Sequence, residues 1–387
     1  MREPIGVYLH FPFCVKKCNY CDFLSGPADS GTREAYADAL CREIVSFGRE
    51  TGVKDVFSPD DKIPVDTVFL GGGTPSVMDP ADLTRVMETV RETFDVLPGA
   101  EISMEMNPGT FRAEMLAFVN KNINRVSLGL QSADDGELLA LGRIHTYAEF
   151  ERCYNALRDA GIANINVDLM SAIPGQTLAS WERSLDRVLR MEPEHMSCYS
   201  LIIEEGTPFH TLFEAGRLEL PDEGEEREMY YLTRRMMEAH GYHRYEISNY
   251  ARPGCECRHN VRYWKRSPYV GFGIGAASLI NETRWSNTRN LERYLTGSGR
   301  LCDIHEDVHA LSVREQMEEF MFLGLRMTDG VSASKFEETF GCELDSVFGE
   351  ACARLVSEGL LVREGDYYKL TSRGIDISNT VLAEFLL

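Results

Sequence analysis

The 387-residue sequence has no apolar run approaching the ~18 residues that a membrane helix needs, so no integral membrane segment is expected. No charged leader with a cleavage site opens it. The chain runs almost at once into Ile5-Gly6-Val7-Tyr8-Leu9, and this predicts a cytoplasmic protein. Basic residues are scarce: 40 Lys and Arg stand against 61 Asp and Glu, a net charge of −21. That balance disfavours non-specific binding to nucleic-acid phosphates or anionic lipid, although Arg258, Arg262, Lys265 and Arg266 form one local basic cluster. Internal repeats and low-complexity segments are absent. Eleven cysteines, an odd number without a leader, do not suit a disulfide framework in so long a chain. A hydrophobic content of 43% is ample for two or three ordinary globular domains.

What the sequence does have is a tight cysteine triplet, in His10-Phe11-Pro12-Phe13-Cys14-Val15-Lys16-Lys17-Cys18-Asn19-Tyr20-Cys21. Three thiolates at C-x-x-x-C-x-x-C spacing cannot all bridge one another. They either share a metal or do nothing together. A four-iron cluster normally takes four cysteines. Three leave one iron open, and an open site is where a cofactor can bind. Structural zinc favours two Cys-x-x-Cys pairs, or Cys with His pairs at longer separation. No partner pair lies near, and His10, a candidate fourth zinc ligand, precedes Cys14 within a predicted strand. The cluster is favoured; zinc and unliganded thiols stay open.

Short apolar runs predict strands at 5–11, 67–70, 101–106, 125–130, 164–170 and 195–203. Helical spacing predicts helices at 33–47, 80–94, 111–120, 147–160 and 177–190. Such alternation implies βαβ crossovers and a parallel sheet, and six strands suit an α/β fold of the partial (β/α)6 barrel type over residues 1–205. A break at Glu205-Gly206-Thr207-Pro208 opens a smaller α+β region, 206–310. It holds a predicted helix at 223–240, a strand at 243–247 and a Gly, Pro and aromatic-rich stretch from Tyr250 to Leu279. From Leu311 the order is three helices and then a hairpin near 361–370. This predicts a winged-helix-like C-terminal domain over 311–387. Seven Lys and Arg against fourteen Asp and Glu deny that domain the basic face DNA requires, so packing or partner docking is expected instead.

Polar residues gather just past the predicted strand ends, the active face of a βα barrel. The second strand ends in Leu70-Gly71-Gly72-Gly73-Thr74-Pro75, whose glycines allow close approach and are expected to present free backbone groups. A tight turn without a ligand is the plain alternative. Glu105 and Asn107 end the third strand, Gln131 and Ser132 the fourth, and Asp168 lies on the fifth. Carboxylates and amides suit ribose hydroxyls and adenine edges. Arg143 suits a carboxylate, because its planar fork binds one bidentately. Singly, each is more often a solvated loop end; their joint placement carries the argument.

These residues resemble the radical S-adenosylmethionine (radical SAM) superfamily. The runs Tyr8–Cys14, Gly71–Pro75, Ser103–Pro108, Arg125–Ser132, Leu141–His145 and Asn164–Gln176 resemble the branch holding oxygen-independent coproporphyrinogen III oxidase and the haem chaperone HemW. The resemblance implies a 4Fe-4S cluster on Cys14, Cys18 and Cys21, its open iron chelated by S-adenosyl-L-methionine (SAM). It implies SAM contacts by Tyr8, Gly72, Gly73, Thr74, Glu105, Gln131, Arg143 and Asp168. One electron from the reduced cluster would then cleave the sulfonium and release a deoxyadenosyl radical. A reductant protein, such as a flavodoxin or ferredoxin, is the implied partner.

Three features bear on the choice within that branch. The oxidase carries a further cysteine two residues past the triplet, where this chain has Phe23. It also carries a longer N-terminal extension, whereas thirteen residues precede Cys14 here. Third, Arg258-His259-Asn260-Val261-Arg262-Tyr263-Trp264 matches the H-N-x-x-Y-W pattern of the haem chaperones. On this reading His259 ligates haem iron, Tyr263 and Trp264 pack on the porphyrin, and Arg258 and Arg262 meet propionates. The alternative is a core cluster tying two domains together. Cys255 and Cys257 are left undecided between ligands and ordinary thiols. The segment Gly271-Phe272-Gly273-Ile274-Gly275-Ala276-Ala277-Ser278 is no dinucleotide fingerprint; it resembles a glycine-rich segment of this family, with Ala277 where relatives often have His. The implied function is a haem chaperone delivering haem to a target protein, with the decarboxylating oxidase as the alternative.

Overall fold

The computed structural model describes residues 3–50 and 62–387. Six parallel strands form its centre: β1 (Ile5–Phe11), β2 (Pro64–Gly72), β3 (Asp95–Met106), β4 (Arg125–Gln131), β5 (Asn164–Ser171) and β6 (His195–Ser200). They lie side by side in chain order. The crossovers are helical: α1 (Ser30–Glu50), α2 (Pro80–Thr93), α3 (Met115–Asn122), α4 (Asp135–Ala140) with α5 (Tyr147–Asp159), and α6 (Leu178–Leu189). The expected partial (β/α)6 barrel is therefore the fold. Helix starts follow local chemistry. Asp79 caps α2 ahead of Pro80, and Thr146 and Thr177 form capping boxes on α5 and α6.

Side-chain alternation divides each strand between two environments. Val7, Leu9 and Phe11, then Val68 and Leu70, Met104 and Met106, Val126 and Leu128, and Ile165 and Val167 are buried in the main core cluster with the helices. Each such burial contributes roughly 1.5–3 kcal/mol. The intervening positions face the barrel interior and are mostly polar or aromatic. They include Tyr8 and His10, Glu101 and Glu105, Arg125 and Ser127, Asn166 and Asp168, and His195 and Ser197. The strands are half apolar rather than the continuous apolar runs expected of a fully buried parallel sheet.

The sheet continues on both sides. After α7 (Pro208–Glu214) and α8 (Glu223–Ala239) come β7 (His243–Arg244) and β8 (Asn249–Ala251), with β8 antiparallel to β6. The strand expected over 243–247 is thus only two residues long. The glycine-rich stretch holds more order than expected: α9 (Arg258–Trp264), then β9 (Tyr269–Phe272) parallel to β1, β10 (Ala277–Ile280), β11 (Thr283–Asn287) and β12 (His305–Ala310). From Val313 the expected order appears: helices Val313–Gly324, Ala333–Phe340 and Leu344–Ser357, then the hairpin Leu361–Glu364 and Tyr367–Leu370. This region has its own apolar core around Phe336, Phe348 and Phe385. No helix among the described residues is long and apolar enough to cross a membrane.

A buried carboxylate ties the barrel to its extension. Glu43 of α1 accepts from Gly273 N at 2.9 Å, Asn287 Nδ2 at 2.6 Å and the Tyr294 hydroxyl at 2.6 Å. Burial pushes its pKa from 4.5 up to about 7. Its contribution to stability is complete below the unfolded value and is lost as pH rises through the folded one, a span worth about 3 kcal/mol. In urea titrations of the metal-free chain, Glu43→Gln should gain on the wild type as pH rises from 5 to 8. A pH-independent difference would show that Glu43 does not titrate as described.

Candidate cluster and cofactor site

The loop after β1 carries Cys14, Cys18 and Cys21, all partly exposed and free of disulfides. Its neighbours hold it by backbone bonds. Cys14 N donates to Gly26 O at 3.0 Å, Asn19 N to Leu141 O at 2.9 Å, and Gly73 N and Thr74 N to Phe11 O and Phe13 O at 2.8 Å each. Those last two bonds correct the expectation that the glycine loop offers free N–H groups. The Gly72 N–H is also engaged, by Glu105 Oε2 at 3.0 Å. What the glycines supply is room. A Cβ on Gly73 would stand 2.7–2.9 Å from the backbone of Phe11 and Phe13, and Gly72 has φ of +111°.

One pocket at the C-terminal ends of the strands is lined by Cys14, Cys18, Cys21, Gly72, Gly73 and Thr74. Glu105, Gln131, Arg143 and Asp168 line it too. Ten of the eleven expected cluster and cofactor residues therefore converge. The eleventh, Tyr8, lies deeper on β1, with its hydroxyl 3.1 Å from His10 Nδ1. Cys14 Sγ is 3.4 Å from Thr74 Oγ1, and Arg143 Nη1 is 3.7 Å from Cys18 Sγ. Arg143 also donates to Gly129 O, and its Nε is buried without a partner. Gln131 has φ of +76°, a backbone strain of the kind that gathers at functional sites.

Glu105 and Asp168 share the interior. Burial first, then the neighbouring Asp168 charge, pushes Glu105 up to about 8. Asp168 is also raised by burial, against the pull of hydrogen bonds such as that from Asn166 Nδ2 at 2.7 Å. At neutral pH Glu105 is thus mostly protonated and can donate as well as accept. Tyr20 stands beside the cysteines as expected of a wall residue, whereas Ser127 and Asn166 belong to the same constellation and were not anticipated. The period-two alternation of β4 and β5 was the signal that could have found those two.

The thiol triplet with an adjacent cation fits three corners of a four-iron cluster. His10 does not complete a zinc set. Its Nδ1 meets Tyr8 and its Nε2 lies 3.1 Å from Leu24 O, so both nitrogens are engaged. No three His, Cys, Asp or Glu side chains gather as a single-ion site among the described residues. A cubane instead asks for one sulfur per iron.

The residues expected to contact haem lie outside the cluster pocket. Helix α9 plugs the opposite, N-terminal end of the barrel. His259 is 1% exposed, with Nδ1 2.9 Å from Thr67 Oγ1 and Nε2 2.8 Å from the Tyr263 hydroxyl. An imidazole so held has no nitrogen open to iron. Trp264 packs against Tyr245 and Met327, with Arg326 4.3 Å above its ring, at the junction with the C-terminal domain. Arg262 pairs with Asp66, and Arg258 donates to Gly99 O at 2.7 Å. Cys257 is buried near Glu101, its thiol pushed up to about 12 by burial. Tyr263 alone of the trio reaches a cavity beside the cluster pocket.

Comparison with known proteins agrees with this geometry. The radical SAM superfamily model matches residues 8–188, and the HemN C-terminal domain model matches residues 311–377. The chain is 37% identical over 385 residues to haem chaperone HemW of Bacillus subtilis, covering 98% of this chain and 99% of that protein. It is 31% identical over 394 residues to haem chaperone HemW of Escherichia coli, covering 99% and 98%. Its fold is similar to that of coproporphyrinogen III oxidase HemN from Escherichia coli, a radical SAM enzyme. The TM-score is 0.84 at 22% identity, covering 99% of this chain and 90% of that one. The chain belongs to the haem chaperone HemW family within the radical SAM superfamily.

Proposed function

We propose that this protein binds a 4Fe-4S cluster, SAM and haem, and delivers haem to an acceptor protein in the cytoplasm. The observation that carries the first half is the convergence of the cysteine triplet, the glycine loop and two half-buried carboxylates in one pocket. The second half rests on full-length similarity to proteins named haem chaperones. The exposed Phe23 in place of a fourth nearby cysteine favours the chaperone over the oxidase reading.

In this reading Cys14, Cys18 and Cys21 hold three irons. When bound, the cluster and SAM together supply one-electron cleavage of the sulfonium. The chain supplies position. Gly72, Gly73 and Thr74 leave space for the methionine part, with Tyr8 behind them. Arg143 turns its fork to the carboxylate. Glu105 and Asp168 take the ribose hydroxyls, and Gln131 orients the adenosyl end. Tyr20 and Phe23 wall the pocket against water. Electrons would come from a flavodoxin or ferredoxin. On this reading the chain divides into a radical SAM barrel core over 1–205, a barrel-completing and haem-contact region over 206–310 and a winged-helix-like domain over 311–387.

Anaerobic reconstitution tests the cluster. Serine at Cys14, Cys18 or Cys21 should abolish iron and sulfide loading and the reduced-cluster electron paramagnetic resonance signal, whereas Cys255→Ser should retain both. Zinc in wild-type protein at those thiols would end the radical reading. Asp168→Asn should weaken SAM binding about ten- to a hundredfold in equilibrium dialysis, the cost of an impaired hydrogen bond to a charged group. Reconstituted wild type should bind haem and form no protoporphyrinogen from coproporphyrinogen III; robust turnover would favour the oxidase.

A further inference from the structure

The barrel interior holds a cation that the cofactor site does not use. Arg125, the first residue of β4, is 2% exposed and lines a cavity of about 340 Å³. This cavity shares Glu105, Gln131 and Asp168 with the cluster pocket, so the two spaces adjoin. The Nε of Arg125 is buried without a partner, and Glu101 and Asp168 act on its charge only through space. Both carboxylates are engaged elsewhere. Glu101 accepts from the backbone N–H groups of Arg258 and His259 at 3.0 and 3.2 Å. Asp168 accepts from Asn166 Nδ2 at 2.7 Å and from the Ser127 hydroxyl at 3.3 Å. Phe69, Met170, Tyr199 and Ile202 also line the cavity, so apolar walls rise from a charged base. Tyr199 and Ile202 are exposed and mark its opening.

We propose that this cavity binds a carboxylate carried on an apolar or aromatic frame, with Arg125 as its receptor. A guanidinium taken out of water costs several kcal/mol unless it is paired and hydrogen-bonded. The partner that matches its planar fork is a carboxylate, which it holds through two parallel N–H···O bonds. No side chain among the described residues pairs with Arg125 in that way, so its charge is left for a ligand. A phosphate dianion suits the place less well, because Asp168 stands on the same wall and opposes a second negative charge. Glu105, mostly protonated at neutral pH, adds little to that opposition. The walls set the rest of the ligand's chemistry. A body lying along Phe69, Met170 and Ile202 is apolar or aromatic rather than a sugar or a short polar acid. A ligand so held reaches the wall that the two spaces share. The inference does not rest on the haem reading and needs no side chain to ligate a metal.

Equilibrium dialysis tests the site, with indolepropionate as the probe and its amide as the control. The full chain is prepared anaerobically and held with excess SAM, so that an open iron is covered. Wild type should bind the acid at least about tenfold more tightly than the amide. Arg125→Gln should lose that preference, and Arg125→Lys should keep part of it. Should the Arg125 variants fail to fold, Ile202→Trp decides, since it narrows the cavity from an exposed position and should weaken the acid about tenfold. Equal binding of acid and amide by wild type, a preference kept in Arg125→Gln, or unchanged binding in Ile202→Trp overturns the site. Two sources carry such a carboxylate. Haem that displaces the probe makes it a propionate of the chaperone's cargo, whereas haem that binds alongside makes it a separate small acid. A chain that binds the probe but no haem overturns the chaperone reading and leaves this site standing.

Discussion

Most alternate residues of six parallel strands turn a hydrogen-bonding or aromatic group into one shared interior, and much of the structure answers that demand. A polar group taken from water without a partner costs about 1–3 kcal/mol in proteins. Asn166 shows how the demand is met. Its Nδ2 serves Ser127 and Asp168 at 2.7 Å each, and its Oδ1 lies 2.6 Å from His195 Nδ1. His195 in turn reaches the Tyr245 hydroxyl at 2.8 Å. Glu101 accepts from the backbone N–H groups of Arg258 and His259 at 3.0 and 3.2 Å, which pins α9 beneath the barrel. Toward the mouth the demand is not fully met. Glu105 and Asp168 are both raised by burial, and Arg143 keeps an unpartnered nitrogen. The floor is not wholly satisfied either, since Arg125 Nε is buried there without a partner; what makes the mouth a binding site is that its polar groups line an open pocket beside the cysteine loop.

The cysteine loop belongs to the same logic. It has little regular structure of its own, so its shape is set by what it touches. The glycine loop lies under it, the turn at Ala140–Arg143 beside it, and Asn19 Nδ2 donates to Ala140 O at 2.9 Å. The glycines are therefore needed first for the loop to dock and only then for a ligand to approach. A sequence reading that assigns them to ligand contact alone finds the right place for an incomplete reason.

Much of this was legible in the sequence. The barrel followed from strand and helix periodicities, and the cofactor pocket from polar residues at strand ends, because both depend on local spacing. The interior of β4 and β5 was legible too. The alternation Arg125, Ser127, Gly129, Gln131 and Asn164, Asn166, Asp168 marks one face, although the strands read at first as simple apolar runs. Helix α9 was not legible. It has seven residues, its N-cap Cys257 makes no side-chain cap, and the partner that stabilises its start is Glu101, distant in sequence. The state of His259 was equally hidden, since whether its nitrogens are free depends on Thr67 and Tyr263 arriving from two different elements.

The C-terminal domain is built on the same floor rather than merely tethered to it. Tyr245 sends its hydroxyl to His195 inside the barrel while its carbonyl accepts from Thr328 N at 3.0 Å. Helix α9 likewise has His259 and Tyr263 on the interior side and Trp264 against Met327 on the other. Glu319, nearly buried, takes Arg266 and Arg284 at 2.9 Å each and so locks the domain's first helix to the segment after α9 and to β11. Of the two, only the Arg266–Glu319 pair is buried on both sides, and removing one partner from a buried pair typically costs about 3–5 kcal/mol, because the remaining charge is stranded. The domain's excess of acid over base is thus partly spent on holding arginines of the barrel extension. A module resembling a winged helix in outline serves here as structural support for the floor of a cofactor-binding barrel.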